Sequence, residues 1–164
     1  MTKKYIVFIL SFFIVSCGFN PLYKNNSILL DYDIDVIVKS QEGGGKDNQI
    51  MKNFLSKSLS KQNNKASNLK LIVSLQKVKY SLGLQKDLTT TRAAVSYNVN
   101  YAFYDRKGLI SSGSLQKSTS YNIGTSPYAS IKAEETSSHN VIKFLANEIS
   151  LIVLALPQNR KIYP

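Results

Sequence analysis

Val95, Tyr97, Val99, Tyr101 and Phe103 occupy every second position of one unbroken stretch, with Ser96, Asn98, Asn100, Ala102 and Tyr104 between them. Side chains along a β-strand point alternately to opposite faces, so this run has one apolar face and one that is largely polar. A helix, with its period of 3.6, cannot sort these residues in that way. The stretch predicts a strand that packs through its first face and leaves its second largely wet, as in an antiparallel sheet covered on one side. The rest of the chain has to supply the partners and the cover.

Upstream, Leu69, Leu71, Val73 and Leu75 alternate with Lys70, Ile72, Ser74 and Gln76, a second strand that can run on to Tyr80. Ser81 to Leu88, with Gly83 and Lys86, reads as the turn between the two. Earlier still, Ile34, Val36 and Val38 alternate with Asp33, Asp35, Ile37 and Lys39, giving a first strand at about 31–39. Gly43-Gly44-Gly45 ends it as a plain turn, because the Gly-Lys-Ser/Thr of a phosphate-cradling loop does not follow. From Asp47, available as a cap, Ile50, Phe54, Leu55, Ser58 and Leu59 recur at helical spacing, with Lys52, Lys57 and Lys61 on or near the other side. The polar residues 62–68 close that helix. Strand, helix and strand in this order predict a right-handed crossover and a parallel pair.

Downstream, Asp105-Arg106-Lys107-Gly108 predicts a tight hairpin, the glycine supplying a positive φ. The fourth strand, about 109–122, is thin in large apolar residues and rich in Ser, Thr and Gln, which suits an edge. Ser126-Pro127 then opens a long helix, serine as N-cap and proline at the first helical position. Its predicted stripe is Ile131, Ser138, Ile142, Leu145, Ile149, Ile152 and Leu156, and Pro157 stops it. The expected fold is α+β, a two-layer sandwich in the order β-α-β-β-β-α, with a four-stranded mixed sheet and two helices on one face.

The N-terminus has a different logic. Lys3 and Lys4 precede an apolar run, Tyr5 to Val15, broken only by Ser11 and ending at Ser16 before Cys17. At about 1.5 Å per residue that run is shorter than the about 20 residues needed to span a bilayer, and it fits the apolar centre of an export signal. A small residue directly before cysteine resembles the lipobox of bacterial lipoproteins. The expectation is that residues 1–16 are removed and that Cys17 carries diacylglycerol and an N-acyl chain. Residues 17–30 then form a lipidated tether, residues 31–157 the folded domain and residues 158–164 a tail. Cys17 is the single cysteine, so no internal disulfide is possible. Several acyl chains anchor firmly where one alone binds marginally. Gly18 stands where aspartate would resemble an inner-membrane retention signal, so the expected address is the outer membrane.

The chain has 21 lysines and arginines against 10 acidic residues, a net charge of +11. Lys3 and Lys4 belong to the leader, and what remains is still strongly basic. Outside the cytoplasm such a charge suits lipid head groups, lipopolysaccharide phosphates or acidic wall polymers. There is no RNA-binding signature, zinc-finger spacing or long run of like charge, which argues against a nucleic-acid partner. The one histidine, His139, has Ser137, Ser138 and Asn140 around it on the second helix and reads as a surface residue. No Gly-x-Ser-x-Gly elbow, metal-ligand set or carboxylate pair is present, so neither an enzyme nor a cofactor beyond the covalent lipid is expected.

Several pieces now line up: Cys17-Gly18-Phe19-Asn20-Pro21-Leu22-Tyr23, then Thr91-Arg92 leading the alternating strand to Tyr104-Asp105, then Ser118-Thr119-Ser120-Tyr121, then Ser126-Pro127-Tyr128-Ala129-Ser130 with Ala133-Glu134-Glu135. In this order they resemble the lipopolysaccharide-assembly lipoprotein family LptE, in its alphaproteobacterial form. The resemblance implies a non-enzymatic partner that plugs the large outer-membrane β-barrel LptD, helps it assemble and binds lipopolysaccharide during its insertion into the outer leaflet. The polar fourth strand, Ser137 and Ser138 depart from the pattern. An anchor, a tether and a small α+β domain would equally serve an outer-membrane lipoprotein that activates a cell-wall synthase or assists a phospholipid-transport complex.

Strand directions place a candidate lipopolysaccharide site at one end of the sheet. Lys86 lies in the turn between strands two and three, Arg92 near the start of strand three and Lys132 in the first turns of the second helix. Lys46, beside the start of the first helix, joins the same end. Helix N-termini there favour anions, Arg can grip phosphate bidentately and Lys acts as a point charge.

Overall fold

The alternating run is the centre of β3 (Thr90–Asp105), and it is packed as its pattern demands: Val95, Tyr97, Val99 and Phe103 have no exposed surface. Fully burying a side chain of this kind is worth about 1.5–3 kcal/mol. The computed structural model describes residues 32–40, 45–59, 65–84, 90–124 and 126–156. The expected leader, Cys17, the tether, Lys86, Pro157 and the tail lie outside the described residues.

Three further strands flank β3 in the order β1-β2-β3-β4. β1 (Tyr32–Ser40) lies parallel to β2 (Lys65–Leu84), with Val36 opposite Leu71. β2 and β3 are antiparallel, Leu71 facing Phe103, and β3 and β4 (Gly108–Asn122) are antiparallel, Val99 facing Leu115. A register shift between Phe103 and Tyr104 accommodates one extra residue near the start of β4. α1 (Gly45–Leu59) packs on β1, α2 (Pro127–Leu154) packs on β3 and β4, and the helices touch each other. This is the expected α+β two-layer arrangement.

Apolar residues of matching parity meet between the layers: Ile34 and Val36 from β1, Leu69 to Leu75 from β2, and the β3 set. α1 adds Met51, Leu55 and Leu59, rather than a stripe led by Ile50 and Phe54, which are only partly buried, and Ser58 is exposed. α2 adds Val141, Ile142, Leu145, Ala146, Ile149 and Val153. Ser138 belongs to this buried stripe as expected, whereas Ile131 is exposed, because the first turns of α2 overhang the core. Ser150 is tolerated in the stripe because its hydroxyl donates to the Ala146 carbonyl at 2.8 Å.

Local chemistry explains the connections. Asp105 Oδ1 accepts from the Lys107 and Gly108 backbone N–H groups at 2.8 and 3.0 Å, and Gly108 has φ +130, a conformation side chains rarely adopt. Ser126 is extended and its hydroxyl accepts from the Ala129 N–H, with Pro127 first in α2. Three boundaries differ from the sequence expectation, the first being that β2 already begins at Lys65, inside the polar stretch 62–68 expected to close the helix. α1 begins at Gly45, so Asp47 sits in its first turn instead of capping it. Ser81–Leu84 are strand rather than turn, since β2 stays paired with β3 as far as Leu84 opposite Thr90. β1 ends opposite Leu75, so β2 and β3 continue about 30 Å beyond it and β4 somewhat less.

Candidate functional site

The prolonged end of the sheet, beside the N-termini of both helices, carries the polar chemistry of the domain. Lys77 and Lys79 continue the helix-facing parity of Leu71, Val73 and Leu75. Two lysines there require counter-charges, and both helices deliver them. Lys77 Nζ donates to Glu134 Oε1 at 2.9 Å and lies 3.8 Å from Asp47 Oδ2, and Lys79 Nζ is 2.6 Å from the same Glu134 oxygen. Tyr97, buried in β3, donates its hydroxyl to Asp47 Oδ2 at 2.7 Å, and Tyr121 of β4 donates to Glu134 Oε2 at 3.3 Å. One network thus ties α1, α2, β2, β3 and β4 together.

A second, outer pair of contacts extends it. Glu135 accepts from Lys46 of α1 at 2.9 Å and from Lys132 of α2 at 2.8 Å, one on each carboxylate oxygen. These hydrogen bonds and the two positive charges pull the Glu135 carboxyl down to about 2. Burial alone would raise Glu134, but the bonds and charges of Lys79 and Lys77 outweigh it and hold that carboxyl below its ordinary value. Burial, reinforced by Asp47, pushes the Tyr97 phenol well above its usual range, and burial with Glu134 beside it raises Tyr121.

The four cations expected to cluster are therefore placed as follows. Lys46 and Lys132 are brought together, across Glu135. Arg92 lies at the same end of the sheet but on the uncovered face, where its Nη2 donates to Ser120 Oγ at 2.9 Å. Lys86 lies outside the described residues. Lysines 46, 77, 79 and 132 are interleaved with Asp47, Glu134 and Glu135, so an anion arriving here meets a partly neutralised surface. Sequence reading passed over Lys77, Lys79 and Asp47 as members of this site. The available signal was parity, because two lysines stand where an alternating strand should place apolar residues.

Ile123, Tyr128 and Ile131 are exposed at this end, and the Lys132 ammonium lies 5.8 Å from the Tyr128 ring centroid. His139 is exposed on α2, its ring edge-on to Phe54 at 5.3 Å between centroids. No metal-binding group of His, Cys, Asp and Glu occurs among the described residues. No helix among them is long and apolar enough to cross a membrane.

An antiparallel three-strand meander extended by one parallel strand, with two helices on one face, is a fold found in bacterial lipoproteins. A lipoprotein from Caulobacter crescentus is similar over 73% of this chain and 87% of its own, at 21% identity and TM-score 0.55. Rare lipoprotein B from Shewanella oneidensis covers 73% and 92%, at 12% identity and TM-score 0.54. A chain from Helicobacter pylori described as a neuraminyllactose-binding hemagglutinin homolog covers 82% and 95%, at 14% identity and TM-score 0.51. No protein-family pattern matches the chain and no curated protein matches it. At these identities the likeness defines the fold.

Proposed function

We propose that this chain is a lipid-anchored partner of a large outer-membrane β-barrel, of the LptE and LptD kind, which assists the insertion of lipopolysaccharide into the outer leaflet. The observation that carries the reading is the pairing of a lipobox at Cys17 with a domain whose fold is shared by bacterial lipoproteins. The uncovered sheet face adds support. Along β3 and β4 it presents Asn98, Asn100, Ser112, Ser114, Gln116 and Ser118, polar and uncharged, which suits the polar interior of a barrel.

In this role the domain does no bond chemistry. Lipid on Cys17 holds it at the membrane, the uncovered face, Arg92 included, meets the barrel wall, and Lys46, Lys86 and Lys132 offer positive charge to lipopolysaccharide phosphates. Glu135 sets the terms at two of these, because a phosphate reaching Lys46 and Lys132 together has to displace its carboxylate. Depleting the protein tests the reading. Lipopolysaccharide should accumulate on the inner side of the envelope while the barrel fails to mature. Normal surface lipopolysaccharide, with a defect in wall synthesis or phospholipid distribution, would place the protein with one of those systems instead.

A further inference from the structure

The two edges of the sheet are built differently. β1 has nine residues and carries Asp33, Asp35 and Lys39, charges of the sort that discourage another strand from pairing. β4 forms the other edge with fifteen residues and has no proline and only one charged side chain, Lys117. That lysine shares the helix-facing parity of Leu115, and its ammonium sits 4.6 Å from the Phe144 ring centroid on α2, drawn toward the helix layer.

The direction of the backbone groups that have no strand partner among the described residues follows from one bond. Ile123 N–H donates to the Thr91 carbonyl at 2.9 Å, so Ile123 turns its backbone toward β3. Antiparallel pairs alternate between hydrogen-bonded and non-hydrogen-bonded positions, and the register is unbroken from Arg92–Asn122 to Phe103–Ser111. Odd-numbered residues of β4 therefore bond to β3, and Ser112, Ser114, Gln116, Ser118 and Ser120 turn their N–H and C=O groups outward. All five are exposed, and four are serines too short to shield the backbone beside them.

We infer that the outer edge of β4 is a strand-addition site, and that its occupant is an extended segment of the barrel partner, an inference that rests on the function proposed above. Main-chain hydrogen bonds would supply the affinity, and the small neutral side chains beside them would tolerate a polar segment of about eight to ten residues. A second copy of this chain is a poorer occupant, because each copy stays strongly basic with Lys3 and Lys4 of the leader set aside, and like charges oppose self-pairing.

The test uses the lipidated full chain and its barrel, extracted together in mild detergent. Ser114→Pro with Ser118→Pro removes two outward N–H groups without touching the ladder to β3. The co-purified barrel should fall by about tenfold, the size expected from losing one or two net hydrogen bonds. Amide exchange in the unaltered complex gives a second readout that does not depend on the variant folding. The outward amides of β4 should exchange at least about tenfold more slowly with the barrel bound than without it. Unchanged exchange in a complex that does contain the barrel overturns the strand-addition site while leaving the proposed function standing. If the unaltered protein captures no barrel, both fall. Slowing that instead depends on the concentration of the isolated protein overturns the inference in favour of self-pairing.

Discussion

Tyr101 lies directly across Gly113. The two residues face each other in the β3–β4 register, and a Cβ placed on Gly113 would come within 2.6 Å of the Tyr101 hydroxyl oxygen and 2.9 Å of its ring carbon Cζ. The ring fills the space that the missing side chain leaves, on the helix-facing side of the edge strand. Gly113→Ala should therefore destabilise the domain by about 1–3 kcal/mol through overpacking, read as a lower urea midpoint. Adding Tyr101→Phe to that variant removes the nearest clash and should restore part of the loss. A neutral Gly113→Ala would show that the ring is free to move aside.

The network around Glu134 predicts an asymmetry between adjacent glutamates. Glu134 has a side chain 21% exposed, and its removal leaves Lys77 and Lys79 facing each other beside Tyr121. Glu134→Ala should cost about 1–3 kcal/mol, the range for stranding partly buried polar partners. Glu135 is far more open, and Glu135→Gln should leave the unfolding midpoint nearly unchanged, as exposed ion pairs generally do. Equal losses would contradict the division into an inner and an outer set of contacts.

Stability should fall at both ends of the pH scale, for different residues. Glu134 has a lowered carboxyl inside the network, so its contribution is complete above the ordinary value of 4.5 and fades as pH drops below it, whereas the exposed Glu135, though its carboxyl is lowered to about 2, adds little to this limb. Tyr97 has a raised phenol, so its contribution is complete below the usual 10.0 and is lost as pH climbs past it. The thermal midpoint should be level between these limits. Tyr97→Phe should flatten the alkaline fall while leaving the acid limb in place. An alkaline limb that survives in Tyr97→Phe would assign it to other groups.

For anion binding, charge reversal at Lys86 and Lys132 together should weaken association with lipopolysaccharide much more than reversal at Lys52 and Lys57, which are exposed on α1 away from Glu135. Glu135→Gln should strengthen it, by freeing Lys46 and Lys132, and the gain should shrink as salt rises. Equal effects of the two double reversals, measured by titration with lipopolysaccharide, would argue against a localised site.

Much of this architecture is visible in the sequence where local chemistry decides it. The period of two in β3, the Asp105–Gly108 hairpin and the Ser126-Pro127 helix start each follow from a few neighbouring residues, and all three are found. What could not be read locally depends on tertiary partners. Lys77 and Lys79 look like the fading of a strand, and become acceptable on its covered face only because Asp47 and Glu134 arrive from two helices. Met51 stands four residues before Leu55 and eight before Leu59, so these three share the buried face of α1, while Ile50 and Phe54 fall at its margin and are only partly buried. The end of the sheet chosen for the anion site gathers Lys46 and Lys132, but Arg92 has the parity of Ser96 and Asn98 and so points to the uncovered face.

The most direct test of the central claim is to solubilise the outer membrane in mild detergent, capture this protein through its C-terminal end and identify what remains bound. A large outer-membrane β-barrel present in stoichiometric amount is the predicted result. A cell-wall synthase or a phospholipid-transport complex in its place would contradict the account.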